Sequence, residues 1–454
     1  MRPLFLVPAL ALLACNSQGI TRFPPANSLY FPTGLTYAPS ESAPDKGVVY
    51  VASANFDRRF DYGTISAIDL SKVPGLPDFG TVAEGQGAVD LTDLALTPDQ
   101  QVLIQSFAGE MAGFRVGDRL RLFNPSRGEG NYVHMVEARG AALTCTFPGS
   151  SEHDCSTGSP STTALEKVGT GKPRAPEPNG VGISDDGQVW VTHLSGADSP
   201  VGSLKDIEAY ATFFDGKDPG ITADSFISLG GTGGSNSVAV GHRWAFITGR
   251  FISPKGLLVR MVDRLRTQPV LTPGLENVYQ VREARGVALS SDQSRLYIAG
   301  RSPDTLLVID VASPESDSPL LTVVRGVPLP AGANELALIE RPADPARGLP
   351  ARGNLVVVTS SIDSVVSVYD EDLGQFVAQL SDVGTQPYAV SVQRVGVGAR
   401  IFVSTFGDGR VAVLDMPDVN APQQTRTVAR LGLQQVCLVN PADVACPQAG
   451  TSSP

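Results

Sequence analysis

Histidine and tryptophan are scarce in this chain of 454 residues, which has four of the first and two of the second. The histidines, His134, His153, His193 and His242, are scattered, which argues against a histidine-based metal centre. A GxSxG elbow, an HExxH helix and an EF-hand loop are all missing, and GTGK at 169–172 lacks the spacing and the Ser/Thr of a phosphate-binding loop. No complete catalytic set is present, so no residue is assigned a catalytic role. Positive charge is also short: the net charge of −11 makes a surface that repels phosphate backbones and excludes nucleic acid as a partner. Beyond the first 14 residues no apolar run approaches the roughly 17 to 25 residues that span a bilayer. Gly and Pro, at 47 and 35, fall short of a disordered composition, and 42% apolar residues suffice for a sizeable core.

The chain opens MRPLFLVPALALLAC, with Arg2 at a charged tip, an apolar stretch from Leu4 to Leu13, and the small Ala14. This is the build of a secretory signal over residues 1–14. The tetrad LLAC at 12–15 resembles the lipobox of bacterial lipoproteins. That resemblance implies cleavage before Cys15, acyl chains on its thiol and on the new amino end, and a tether over residues 15–27 that anchors the protein to a membrane. Asn16, by the sorting pattern of enteric bacteria, implies the outer membrane of the cell envelope, on its periplasmic or its surface face. In an exported protein the other four cysteines read as two small disulfide loops, Cys145 with Cys155 and Cys437 with Cys446.

Internal repetition dominates what is present. The stretch ARGVALSSDQSRLYIAGRSPDTLLVIDVAS, residues 284–313, holds three β-rich runs separated by turn residues, and LLTVVRGVPL supplies a fourth. The same order recurs with its first run opening at Gly34, Asp93, Gly180, Ser237, Gly286, Glu335 and Tyr388. Units this short cannot bury a face alone, and four-stranded units of this length close radially. The expectation is an all-β fold: a seven-bladed β-propeller of four-stranded antiparallel blades over residues 28–433, with eight blades as the alternative count. An inserted loop spans 126–177, and a disulfide-closed tail spans 434–454. SLYFP at 28–32 is expected to pair with the terminal sheet and close the ring.

The runs RLYIAG with LLVID, RIFVS with VAVLD, and DVGTQPYAVSV resemble the YVTN-type and NHL-type bacterial β-propellers. The resemblance implies the fold and leaves the activity open, because such propellers carry unrelated functions. Residues that precede each inner strand converge on one mouth of the central channel. Here they are Thr33/Gly34, Thr92/Asp93, Asn179/Gly180, Asn236/Ser237, Arg285/Gly286, Asn334/Glu335 and Pro387/Tyr388. Three amides and two carboxylates around a narrow axis suit Ca2+ or another divalent cation. PNGVGISDDG at 178–187 is similar to the PNG segment of gluconolactonase and regucalcin-type propellers, which implies Asn179 as a metal ligand with Asp93 and Glu335 as acidic partners. The chain departs from that pattern at its first unit, where Thr33 and Gly34 stand in place of a glutamate. The bland alternative is that Asn and Gly merely turn the chain into each inner strand. Two functions are therefore expected: a lipid-tethered binding or scaffold module for a protein or glycan partner, or a metal-dependent lactonase-like hydrolase or lyase at the channel mouth.

Overall fold

The computed structural model describes residues 22–128, 131–145, 151–156, 162–164, 177–195, 209–218, 225–230, 233–252, 256–266 and 268–435. Cys15, Cys437 and Cys446 lie outside them. Among the described residues the strands form seven sheets, six of them antiparallel throughout, so the count is seven blades rather than eight. The second strands are the most deeply buried: Val48–Ser53 and Gly398–Thr405 are buried along their whole length. A sheet wedged between two others has no solvent face, and continuous apolar runs follow from that.

The core is accordingly divided among the junctions between blades. Tyr50, Ile65, Leu122 and Val136 fill the first junction, and Trp190, Val238 and Ile247 fill the third. Val49 and Ile68 of the first blade meet Phe402 and Val413 of the seventh, which closes the ring. Each buried aliphatic side chain contributes about 1.5–3 kcal/mol, so every blade is stabilised chiefly by its neighbours.

Two expectations are corrected. The run from Leu91 is not the second blade. Val89–Leu91 lies parallel to Arg426–Leu431 as a fifth strand of the seventh blade, and Gln101–Ile104 is the outer strand of the first. The second blade instead takes Ala112–Val116, Arg119–Ser126 and Tyr132–Arg139, with its outer position shared by Ala142–Cys145 and Thr162–Ala164. Much of the expected insert is therefore blade. Periodicity identified QVLI correctly as a strand, but an alternating run carries no mark of its place within a blade.

SLYFP adds no strand to the terminal sheet. Leu29 and Tyr30 are buried at the seam, while the pairing that closes the ring belongs to Val89–Leu91, backed by Arg410 on Asp90 at 3.1 Å. The disulfide Cys145–Cys155 forms, and the backbone beside it docks on the first blade through Cys155 N–H to Leu103 O at 2.9 Å.

Candidate functional site

The inner strands of the third to seventh blades start in the same manner. One residue pairs with the end of the second strand, a bulge follows, and regular pairing resumes, as in Pro178 opposite His193 and then Val181 opposite Val191. The first blade instead skips Thr33 alone, and the second skips Gly109 to Met111. The bulge aims its two residues at the channel. In chain order they are Thr33/Gly34, Gly109/Glu110, Asn179/Gly180, Asn236/Ser237, Arg285/Gly286, Asn334/Glu335 and Tyr388/Ala389. Five pairs stand where the sequence put them, and the seventh shifts by one residue. Asp93 does not reach the channel. It is exposed beside the fifth strand of the seventh blade, where it accepts the Ala95 N–H at 2.8 Å.

The amide nitrogens stitch blade to blade. Asn179 Nδ2 donates to Asn236 O at 3.4 Å, Asn236 Nδ2 to Ala284 O at 3.1 Å, and Asn334 Nδ2 to Pro387 O at 3.3 Å. The Thr33 hydroxyl does the same toward Ala108 O at 2.8 Å. Hydroxyls on second strands support the bulges: Thr359 Oγ1 accepts the Glu335 N–H at 3.1 Å and donates to Tyr388 O at 2.6 Å. Structural stitching thus accounts for the amide nitrogens. Of the amide oxygens, Asn179 Oδ1 accepts from Arg127 at 3.2 Å, Asn334 Oδ1 accepts from Arg301, and Asn236 Oδ1 is buried without a partner. Among the described residues no three His, Cys, Asp or Glu side chains converge as a metal-ligand set.

The second bulge position is Gly, Ser or Ala in five blades and glutamate in two, Glu110 and Glu335. Glu110 was missed from sequence because it belongs to the misplaced blade. Its Oε2 accepts Val181 N–H and Ser237 Oγ–H, each at 3.2 Å, while Glu335 Oε1 is buried without a partner. Burial in the neck, away from water, pushes the Glu110 carboxyl up to about 8, against the pull of the Ser237 hydroxyl, the Val181 N–H and the Arg285 charge. Glu335 is raised well above the carboxylate range, first by burial and then by the charge of Glu110.

Above this neck the mouth has two unlike halves. Arg127, Arg250 and Arg301 occupy one equivalent position, the residue following the bulge partner on the second strand, and Phe406 occupies it in the seventh blade. Arg285 crowds the arginine half: burial and then its charge hold both Arg250 and Arg301 below the usual guanidinium range. Glu283 balances Arg285 at 2.8 Å, and Glu177 lies 3.8 Å from Arg250.

The other half is chiefly aromatic, with Arg58 5.0 Å over the Phe107 ring and Arg59 5.9 Å over that of Phe31. Phe31 lies 4.9 Å from Phe406, Phe56 lies 5.5 Å from Phe107 and 5.7 Å from Phe406, and Tyr388 lies 5.9 Å from Phe406. Phe31 and Phe107 hold φ of 51° and 59° at a position where the fourth and sixth blades use Gly234 and Gly332. Glu177 and Gln386 hold 52° at the same position of the third and seventh blades, so the left-handed turn belongs to the blade entry and the two rings are carried on it.

No family model matches the chain, and no curated protein sequence matches it. Solved structures with a similar course include apo AztD from Citrobacter koseri, 13% identical over 88% of this chain and 86% of that one, with a TM-score of 0.39. A periplasmic gluconolactonase from Pseudomonas aeruginosa is 16% identical over 69% and 83%, with a TM-score of 0.45. A putative 6-phosphogluconolactonase from Bacteroides uniformis is 14% identical over 76% and 83%, with a TM-score of 0.46. At such values the likeness is one of fold alone.

Proposed function

We propose that this chain is a lipid-anchored propeller of the bacterial cell envelope, held in the outer membrane through Cys15, whose channel mouth binds a protein or glycan partner. The observation that carries the binding role is the make-up of the mouth: Arg127, Arg250 and Arg301 at equivalent positions of the second, fourth and fifth blades, beside the cluster of Phe31, Phe56, Phe107 and Phe406. Such a surface suits an anionic group attached to an apolar or sugar ring, since guanidinium pairs with carboxylate or phosphate and phenyl faces stack on rings. A photo-reactive residue at Phe56, on the mouth, is expected to give one defined adduct in intact cells, weakened by Arg285→Gln. Adducts only from Leu373, in the turn at the opposite end of the sixth blade, or from neither site, overturn the reading.

The glutamate pair favours a second reading, hydrolase or lyase chemistry in the neck. A protonated and an ionised carboxyl close together supply an acid and a base. A divalent cation such as Ca2+ would take Glu335 and Glu110 as acidic donors in place of Asp93, against competition from Arg285. Elemental analysis of purified protein, with lactone turnover by wild type and Glu335→Gln, separates the two: absence of bound metal and of turnover removes the enzyme.

A further inference from the structure

The chain joins the ring from one definite side. Arg22 N–H donates to Asp61 Oδ2 at 2.8 Å, its guanidinium to Arg58 O at 3.3 Å, and the Phe23 ring lies 6.1 Å from that of Tyr62. Arg58, Asp61 and Tyr62 belong to the loop between the second and third strands of the first blade, the same loop that carries Phe56 to the mouth. Arg22 is seven residues from Cys15, a reach of about 25 Å at most when fully extended. The mouth face is therefore the one nearest the tether.

That face also carries half of the exposed large apolar side chains among the described residues. Phe23, Phe56, Phe251, Val278, Tyr279 and Ile362 are 60%, 49%, 61%, 64%, 39% and 74% exposed. All six lie at the chain start, in loops between second and third strands, or in the link from the fourth blade to the fifth. Topology puts every one of these segments on the mouth side, and they are spread over the first, fourth, fifth and sixth blades. Singly scattered apolar residues need no explanation, but six of them on the tethered face do. Charge in the same loops is mixed: Arg22, Arg58 and Arg282 are exposed, and so are Asp57, Asp61 and Asp363.

We infer that the mouth face turns toward the bilayer surface, with these apolar side chains seated at headgroup level; the inference rests on the membrane anchor at Cys15 proposed above, and it makes the partner of the mouth one that is itself held in that membrane. The occupant is the lipid surface itself. Because the loop charges are of both signs, the contact is apolar and insensitive to salt.

The test uses the acylated full chain in phosphatidylcholine vesicles, with an environment-sensitive fluorophore at Ile362→Cys on the mouth face or Leu373→Cys in the turn at the opposite end of the same blade. The expected result is quenching by spin-labelled lipid at 362 about threefold or more above that at 373, unchanged between about 0.1 and 0.5 M salt, and reduced by joint Phe56→Ser and Phe251→Ser. Quenching at 373 instead, or at neither site, overturns the inference. Mass spectrometry of the N-terminal peptide decides the anchor separately. Should that peptide carry no acyl chain, coupling the Cys15 thiol to a maleimide phospholipid restores the tether, and the same two labels still decide the orientation.

Discussion

The Ser237 hydroxyl, from the fourth blade, donates at 3.2 Å to Oε2 of Glu110, which enters the channel from the second. Two blades that share no junction thus meet on one carboxyl group, and the neck of the ring is tied across as well as around.

The first expectation concerns pH. The Glu110 carboxyl stands at about 8 in the folded chain against an ordinary 4.5. Between those values the folded state holds more protons than the unfolded one, so stability is full below the lower value and falls as pH rises through the window. Glutamine imitates the protonated acid. Melting temperatures of wild type are expected to fall from pH 5 toward pH 8, and Glu110→Gln to flatten that fall and melt higher at pH 8.5; equal slopes for the two proteins refute the assignment.

Thr359 tests the stitching. Thr359→Val removes a hydroxyl that serves both Glu335 N–H and Tyr388 O, leaving two buried groups unpaired at an expected cost of about 2–4 kcal/mol in urea unfolding. Thr359→Ser is expected to recover most of it. A valine variant as stable as wild type contradicts a structural role for these hydroxyls.

Phe107 separates strain from use. Phe107→Gly gives up contact with Phe56 but relieves a left-handed backbone worth about 1–2 kcal/mol, so global stability is expected to change by less than about 1 kcal/mol. Cross-linking from position 56 is expected to drop all the same. A large loss of stability would make this ring packing rather than surface.

The disulfide is the fourth test. Cys145→Ser opens a loop whose ends are ten residues apart and is expected to cost about 2–3 kcal/mol, matched by adding reductant to wild type. Amide exchange at Leu103 is expected to quicken in step, since Cys155 N–H bonds that residue's carbonyl and His153 O accepts its N–H. Unchanged exchange would uncouple the two blades.

How much of this was legible beforehand differs from residue to residue. Second strands such as VVYVAS and RIFVS announced themselves, since they are short, bounded by turns and rich in β-branched and aromatic residues. The bulges at Asn179, Asn236, Arg285 and Asn334 were legible because those blades turn into their inner strands in the same way. The second blade was not, because LALTPDQQVLIQS mimics the spacing of an inner pair while serving as a turn and the outer strand of the first blade. A signal was present all the same: AGFRVGDRLRLF pairs Val116 with Arg119 around Gly117 and Asp118, a two-residue hairpin turn. Reading that hairpin as the start of a blade would have delivered Glu110 to the neck. The division of the mouth was hidden for another reason. Its arginines and aromatic residues come from five blades, and only coordinates put Arg127, Arg250, Arg301 and Phe406 at one height.

Val89–Leu91 reaches across some 340 positions of chain to lie beside Ala429–Leu431. A molecule emerging from the ribosome therefore makes its padlock early and waits for the hasp: the opening blade stays half fastened until the final one is synthesised. Premature termination anywhere upstream should yield no stable arc of wedges, only prey for proteases, and assembly is governed by its slowest and most distant pairing.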